Sequence, residues 1–477
     1  MATAAKPRPL SSETVAWPPV RAFTDNSELD LLVACCAHSS GYAHADRIRE
    51  LLSSPLDWER MLRLVDHHRL VPQVYGTLSA CSHLVPTRQL DALRSRYREN
   101  ARNALWFTAE LQRVLSYLES AGIPALPYKG PVLAKTLYGE VTQRQFNDLD
   151  ILIRPADVPR AKAALLALGY PCSPELRPQQ EPAYIASGCG YVFHSPAGRN
   201  LLDLQWRILP RFYSIDFDVA DFLKRADEID LETQSMEDAR PRPSECITGA
   251  MRSREAAVEH SPRRQPWVGS ETLPSPGGAR DHGLGCRMRT LRAEDLLLVL
   301  CVHAAKHVWI QLSWLCDIAQ LANSQPLDWN AIQDEARRLG IERIVSLNLL
   351  LARKLFRSAL PPQIQRRPQE DPSTNVLADE ILRIIERSTH YNTESIPYFR
   401  LMMRLRERWQ DQARLLWRLV FTPSVSEWST VRLPKSLQPL YRLVRLSRLA
   451  KRLRTRHFYV PVRRLLSNDG GPGRQVL

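Results

Sequence analysis

The chain has 477 residues, 44% of them hydrophobic, with 65 Lys and Arg against 51 Asp and Glu and hence a formal charge of +14. That length accommodates about two to three domains, and with no run of about 18 apolar residues a membrane-spanning helix is not expected. Nine cysteines, an odd count with no CxxC spacing, fit a reduced, cytoplasmic compartment, while the basic excess, densest from Arg442 to Arg456, either favours polyanions (nucleotides, nucleic acid, anionic lipid) or forms a solvated helix face.

In chain order, residues 1–26 show no signal-peptide core and read as a disordered leader. Residues 27–122 read as helical. SELDLLVACCAH places Ser27 at an N-cap with Asp30 in the capping-box position. LDWERMLRLVDHHRLVPQVYGTL reads as two helices broken at Pro72, and ALWFTAELQRVLSYLESAG as a long amphipathic helix ending at Gly122. The period then changes. Within 123–232, IPALPY reads as a short strand and KGPVLAKTLYG as a helix opening at the Lys129–Gly130 turn. LDILI reads as a buried strand, PADVPRAKAALLALGY as a helix, and YVFHSPAGRNLLDLQWRI as a hairpin. Residues 233–287 are rich in Pro, Arg, Ser and Gly, show no period, and read as a disordered insertion. Helical periodicity returns over 288–360. Residues 361–374 form a polar break, 375–456 a basic helical region, and 457–477 a frayed tail. The expected fold class is α+β: a small mixed sheet embedded in mostly helical N- and C-terminal regions.

The stretch RQFNDLDILI carries the chemistry. Asp148 and Asp150 are two apart at the start of an apolar strand, so both carboxylates point to one face while Leu149 and Ile151 point to the other. Like charges on one face resist burial, and a hard divalent cation offsets that cost; Mg²⁺ takes one or two carboxylates together with phosphate oxygens. Asp203 in LLDLQWRI stands out in the same way from an apolar strand. If that strand lies beside the first, three carboxylates converge, enough for a two-ion site. Upstream, Gly130 permits close backbone approach at a helix N-terminus, where anions are favoured, and Lys129 and Arg144 add positive charge suited to phosphate.

In HAAKHVW, His303 and His307 are four apart and share a helix face. That is also zinc spacing, but Ala304 stands where a metalloprotease carries its Glu base, so a packed or substrate-facing pair is expected instead. Asp317 lies ten residues after His307 and could orient a histidine only through a bend or a neighbouring helix.

The ordered combination resembles the polymerase-beta-type nucleotidyltransferase superfamily, and more closely an uncharacterised nucleotidyltransferase family. The signature of that family is a Lys-Gly turn, then Tyr, then Arg-x-x-x-Asp-x-Asp-x-Leu. The matching positions are Lys129, Gly130, Tyr138, Arg144, Asp148, Asp150 and Leu152. Asp203, Leu204, Gln205 and Trp206 resemble its later Asp-Leu-His-Trp strand; His303, His307, Trp314, Leu315 and Asp317 resemble its later helices. The resemblance implies a nucleotidyltransferase core, Mg²⁺ dependence with a two-ion site, and transfer of a nucleoside monophosphate from a nucleoside triphosphate to a hydroxyl acceptor of unknown identity. It makes Asp148, Asp150 and Asp203 the catalytic and metal-binding residues, with Lys129, Gly130 and Arg144 binding the nucleotide. Two positions depart from the pattern: Lys-Gly-Pro replaces the superfamily's Gly-Ser turn, and Gln205 replaces the closer family's His. A non-catalytic RNA- or protein-binding module on a degenerate fold is the alternative. A D-x-D glycosyltransferase ranks lower, because the chain before the D-x-D is helical where that class needs alternating strands and helices.

Overall fold

A computed structural model describes residues 26–37, 42–194, 201–231, 286–358, 371–387, 395–423 and 440–454. The expected leader before Asn26, the tail, residues 361–370 of the polar break, and residues 233–285 of the expected insertion lie outside them.

The N-terminal region is helical: α1 (Ser27–Cys36), α2 (Tyr42–Ser53), α3 (Trp58–His68), α4 (Val71–Ala80) and α5 (Thr87–Ser120). The cap of α1 is Asn26, whose side chain accepts from the Leu29 N–H; Ser27 is already the first helical residue, one place later than the sequence reading put it. The break between α3 and α4 falls at Arg69, in the left-handed region at φ 55°, and Pro72 opens the next helix within its first turn rather than ending the previous one.

The chain then builds β1 (Ala125–Pro127), α6 (Gly130–Tyr138), β2 (Asp148–Ile153), α7 (Val158–Ala167), β3 (Cys172–Ser173), α8 (Glu181–Ser187), β4 (Gly190–His194), β5 (Leu201–Gln205), α9 (Val219–Lys224) and β6 (Asp227–Leu231). The sheet order is β1-β2-β5-β4-β3; β2 and β5 run parallel and the other pairs antiparallel. This is the small mixed sheet of an α+β fold. Strand alternation sorts β2 onto two cores. Leu149, Ile151 and Ile153 pack with α5 and α7 residues such as Leu111 and Leu165. Leu152 packs on the opposite side, in the core that the flanking helices share.

Past the undescribed stretch come β7 (Cys286–Thr290), α10 (Ala293–Lys306), α11 (Leu312–Ser324), α12 (Trp329–Leu339), α13 (Glu342–Phe356), α14 (Pro372–Glu386), α15 (Ile396–Arg404), α16 (Trp409–Phe421) and α17 (Tyr441–Arg454). The helical period that runs from Leu291 to Ala322 conceals a sharp turn. Val308 and Trp309 both adopt positive φ, 54° and 51°, where a β-branched residue is an outlier. Burial of both side chains and a 2.7 Å bond from Trp309 Nε1 to Asn348 Oδ1 offset that strain. Among the described residues no helix is long and apolar enough to cross a membrane.

β6 and β7 form a two-stranded antiparallel ribbon in which Leu231 faces Cys286. β7 therefore begins two residues inside the stretch read as an insertion, and that stretch leaves and rejoins the fold at one ribbon end. Replacing 232–285 by Asn-Gly, the pair that suits a two-residue hairpin, is expected to yield a soluble protein melting within a few degrees of the parent, roughly the scale of a 1 kcal/mol change. Thermal unfolding followed by circular dichroism checks it; loss of the cooperative transition would refute it.

Candidate functional site

Register decides the site. Asp150 and Asp203 are paired positions on the parallel strands β2 and β5, and Asp148 lies two residues before Asp150. All three carboxylates therefore emerge from one face, the same face as Leu152 and Gln205, which are also paired. It is turned toward the helical body, and Lys129, the residue just before α6, reaches it.

Asp150 is 4% exposed. Its Oδ1 gathers the polar contacts: Lys129 Nζ donates at 3.2 Å and Gln205 Nε2 at 3.1 Å, with Tyr128 OH at 3.3 Å. The tyrosine has one proton, and its shorter contact is 2.7 Å to Gln205 Oε1. Asp150 Oδ2 is buried with no hydrogen-bond partner. Burial first, then Asp150, push the Asp148 carboxyl up, against the pull of Lys129, Arg69 and Arg144. Burial first, then Asp150 and Asp148, push Asp203 up to about 7. Burial, then the carboxylates of Asp150 and Asp203, hold Tyr128 in its neutral form.

Lys129 Nζ also lies 3.2 Å from His303 Nδ1. Burial, then the charge of Lys129, hold His303 well below its ordinary value, and burial with Lys306 does the same to His307. A neutral ring beside a lysine donor makes Nδ1 the acceptor. The two histidine rings lie 4.7 Å apart and both abut Trp314. The pair is packed, as its sequence context suggested.

Gly130 opens α6 at φ 57°, and a Cβ there would meet the Asp148 carbonyl oxygen at 3.1 Å. Glycine is therefore required for α6 to start against β2, and no side chain caps that helix. Such a helix start favours an anion beside the carboxylate face. The segment leading into β2 is tied to the N-terminal helices. Gln73 Nε2 donates to Gln143 O, Asn100 Nδ2 to Thr142 O, and the Val71 N–H to Gln145 Oε1, each at 2.9 Å.

Arg144 is placed differently from expectation. Its Nε contacts both oxygens of Asp317, at 3.2 and 3.0 Å, and Nη2 lies 2.9 Å from Oδ2. Tyr138 OH donates to the same carboxylate at 2.9 Å. Asp317, 1% exposed, needs this counter-charge. Arg144 thus locks β2's lead-in to α11 rather than standing free for phosphate, and Asp317 orients an arginine, not a histidine. Sequence reasoning passed over Tyr128, Arg69 and Lys306. The first bonds Gln205; the others act on Asp148 and Asp203 through their charge. None stands in a spacing that marks it. Gln205, in sequence only a departure from the family pattern, donates a hydrogen bond to Asp150.

Among the described residues, no three His, Cys, Asp or Glu form a ready-made metal cage. The donor set nonetheless suits Mg²⁺: an all-oxygen carboxylate face, an orphaned Oδ2, and mutual repulsion that a cation would relieve. Mg²⁺ takes only one or two protein carboxylates when phosphates complete its shell.

A mixed sheet with a carboxylate pair on one strand, a third acid on its parallel neighbour, and a Lys-Gly helix start alongside defines a nucleotidyltransferase-like core. The chain matches the model of the uncharacterised nucleotidyltransferase family over residues 54–242 and 278–357, more than half its length, and belongs to that family. The two matched pieces skip residues 243–277, inside the expected insertion. No curated protein and no solved structure matches the chain.

Two measurements follow. Arg144→Ala leaves the Asp317 carboxylate buried without its partner and should cost about 3–5 kcal/mol of stability. Arg144→Met with Asp317→Leu, which removes both charges, should recover most of it; denaturant titration of the variants decides, and equal losses would contradict the account. For Asp203, the folded carboxyl is raised to about 7 from an ordinary 3.8, so the native state holds a proton that the unfolded state has lost between those pH values. Its contribution therefore falls as pH rises through that window. Asp203→Asn in a metal-free buffer should melt higher than the parent by a few degrees at pH 8, about 2–4 °C per kcal/mol relieved. The gain should vanish near pH 4; a gain independent of pH would rule out carboxylate repulsion as its source.

Proposed function

We propose that this chain transfers a nucleoside monophosphate from a nucleoside triphosphate to a hydroxyl acceptor: the acceptor oxygen bonds to the α-phosphorus as the bond from that phosphorus to pyrophosphate breaks, pyrophosphate leaves, and the hydroxyl proton passes to solvent. The observation that carries the reading is the pairing of Asp150 with Asp203, with Asp148 on the same face and Asp150 Oδ2 buried without a partner. Asp148, Asp150 and Asp203 would hold Mg²⁺. Bound there, Mg²⁺ supplies charge neutralisation and Lewis acidity at the phosphates.

The chain's own residues do the rest. The α6 N-terminus and Lys129 bind and orient phosphate oxygens. Lys129 is held by Asp150 and His303, and a lysine on a flexible stem can exchange the carboxylate for a phosphate. Neutral His303 keeps Lys129 aimed at the site without adding a competing charge. Gln205 and Tyr128 fix the rotamer of Asp150, so that Oδ2 rather than Oδ1 remains for a cation. The N-terminal helices hold the approach to β2 rigid, which protects the alignment that in-line attack at the α-phosphorus requires.

The test is incubation with α-labelled and γ-labelled triphosphates, Mg²⁺ and a cell extract, followed by identification of what becomes labelled. Transfer of the α label but not the γ label is expected. Asp148→Asn and Asp150→Asn should each reduce transfer by more than the roughly 10–100-fold typical of losing an outer-shell metal partner, and should abolish nucleotide-dependent Mg²⁺ binding in calorimetry. Unchanged Mg²⁺–nucleotide binding in both variants would contradict the proposal. RNA or protein binding that survives without these aspartates, with no transfer, would leave the non-catalytic reading.

A further inference from the structure

The open face of β5 continues past the acids. Leu202, Leu204, Trp206 and Ile208 are buried, while Asp203, Gln205 and Arg207 between them are half-buried. Pairing with the neighbouring chain also runs beyond Gln205, since the Trp206 N–H donates to Cys189 O at 2.9 Å. Arg207 therefore shares the face of Asp203 and Gln205. Its Nη1 donates to the carbonyls of Ile185 and Gly188, at 2.9 and 3.2 Å, and among the described residues no carboxylate pairs with it. Asp216, an acid whose charge reaches it, is taken by Arg418 at 2.6 Å. Lys306, the last residue of α10, stands at the same end. It is half-buried, and among the described residues its amine makes no hydrogen bond or ion pair. It lines a small cavity with Leu209 and Tyr213, just past Arg207. Its charge acts on Asp203, and both it and Arg207 act on the Cys189 thiol, so the two cations converge there. A lysine in the last turn complements the dipole of α10, but that role does not place an arginine beside it.

The nucleotide has the other end. Gly130 starts α6 against the Asp148 carbonyl, and the charge of Arg69, which also lacks a side-chain partner among the described residues, acts on Asp148. The triphosphate is drawn to that end. In-line displacement puts the acceptor on the side of the α-phosphorus opposite pyrophosphate, which leaves the Asp203 end for it. Two cations without counter-charge there match a group with two negative charges. A phosphate monoester carries about −1.5 to −2 at pH 7, whereas a carboxylate or a phosphodiester carries a single charge. Resting on the transfer reading above, we propose that the acceptor is a small phosphorylated molecule whose phosphate monoester is held by Lys306 and Arg207 while its hydroxyl lies at Asp203. That phosphate only binds; no bond to it forms or breaks.

To test this, a cell extract is left untreated, treated with alkaline phosphatase or treated with ribonuclease, and the treating enzyme is removed. Each portion is incubated with the full chain, Mg²⁺ and α-labelled triphosphate. Phosphatase should abolish labelling, and ribonuclease should leave it. In parallel, inorganic phosphate is titrated calorimetrically into the chain saturated with Mg²⁺ and a triphosphate analogue carrying a methylene between the α- and β-phosphorus. The parent should bind phosphate. Lys306→Met should melt like the parent, keep its affinity for the analogue, and bind phosphate at least about tenfold more weakly, the scale of one charge-assisted hydrogen bond. Lys306→Arg should restore most of that binding. Arg207→Met should weaken it likewise; because Arg207 also holds two carbonyls, Lys306, which holds none, decides the matter if that variant does not fold. Labelling that survives phosphatase, or phosphate bound by Lys306→Met as by the parent, would overturn the inference and leave nucleotide transfer standing. Labelling lost to ribonuclease would assign the acceptor end to RNA and overturn it too. No label transferred from the untreated extract would sink the transfer reading itself, and this inference with it.

Discussion

Two carboxylates held at paired positions of adjacent parallel strands are the constraint around which the site is built. Strand pairing fixes Asp150 and Asp203 as neighbours irrespective of their mutual repulsion, and Asp148 shares their face. In water three acids so placed would simply ionise. Here burial raises Asp148 and Asp203, and a lysine, an amide and a tyrosine hydroxyl crowd onto one oxygen of Asp150. The other oxygen is left bare. Such an arrangement costs stability in the absence of a cation, a cost that functional sites tolerate and structural ones seldom do.

The helices are not mere packing around this sheet. Three hydrogen bonds from the N-terminal helices hold the segment before β2, and the buried Arg144–Asp317 pair fastens the same segment to α11. His303 on α10 reaches over to Lys129. Just beyond the second histidine, Val308 and Trp309 take a conformation that costs free energy and is sustained by complete burial. That turn is what lets α10 and α11 both address the site, one through His303 and the other through Asp317. Removing either body would free β2's lead-in or Lys129, so the sheet alone would not keep the geometry.

Much of this was legible where a residue type clashed with its period. Aspartates inside DLDILI and LLDLQ betrayed one-sided strands, and Lys-Gly before an apolar helix marked the α6 start, because strand alternation and glycine's conformational range are local properties. Belonging to the uncharacterised nucleotidyltransferase family agrees with that reading. The neighbours brought in by tertiary packing were not legible. Arg69 ends a helix about 80 residues before Asp148, the acid it acts on, and Tyr128 looks like one more apolar residue of the IPALPY run. The local sequence points Arg144 at phosphate because nothing near it shows that Asp317, far along the chain, claims it. The β6–β7 ribbon was missed for a similar reason: its strands are separated by the whole 232–285 stretch, and DEIDL reads as surface. Arg445, counted with a basic helix face, is instead buried beneath α16.

The crowding of the three aspartates is most directly tested by carboxyl ¹³C NMR on aspartate-labelled protein free of metal, with Asp203→Asn as the assignment control. One resonance titrating near pH 7, absent from the variant and returning to the ordinary carboxylate range once Mg²⁺ and a nucleoside triphosphate are added, is the expected result. Aspartates that all titrate in the ordinary range, with no response to Mg²⁺ and nucleotide, would show that the acids do not share a site.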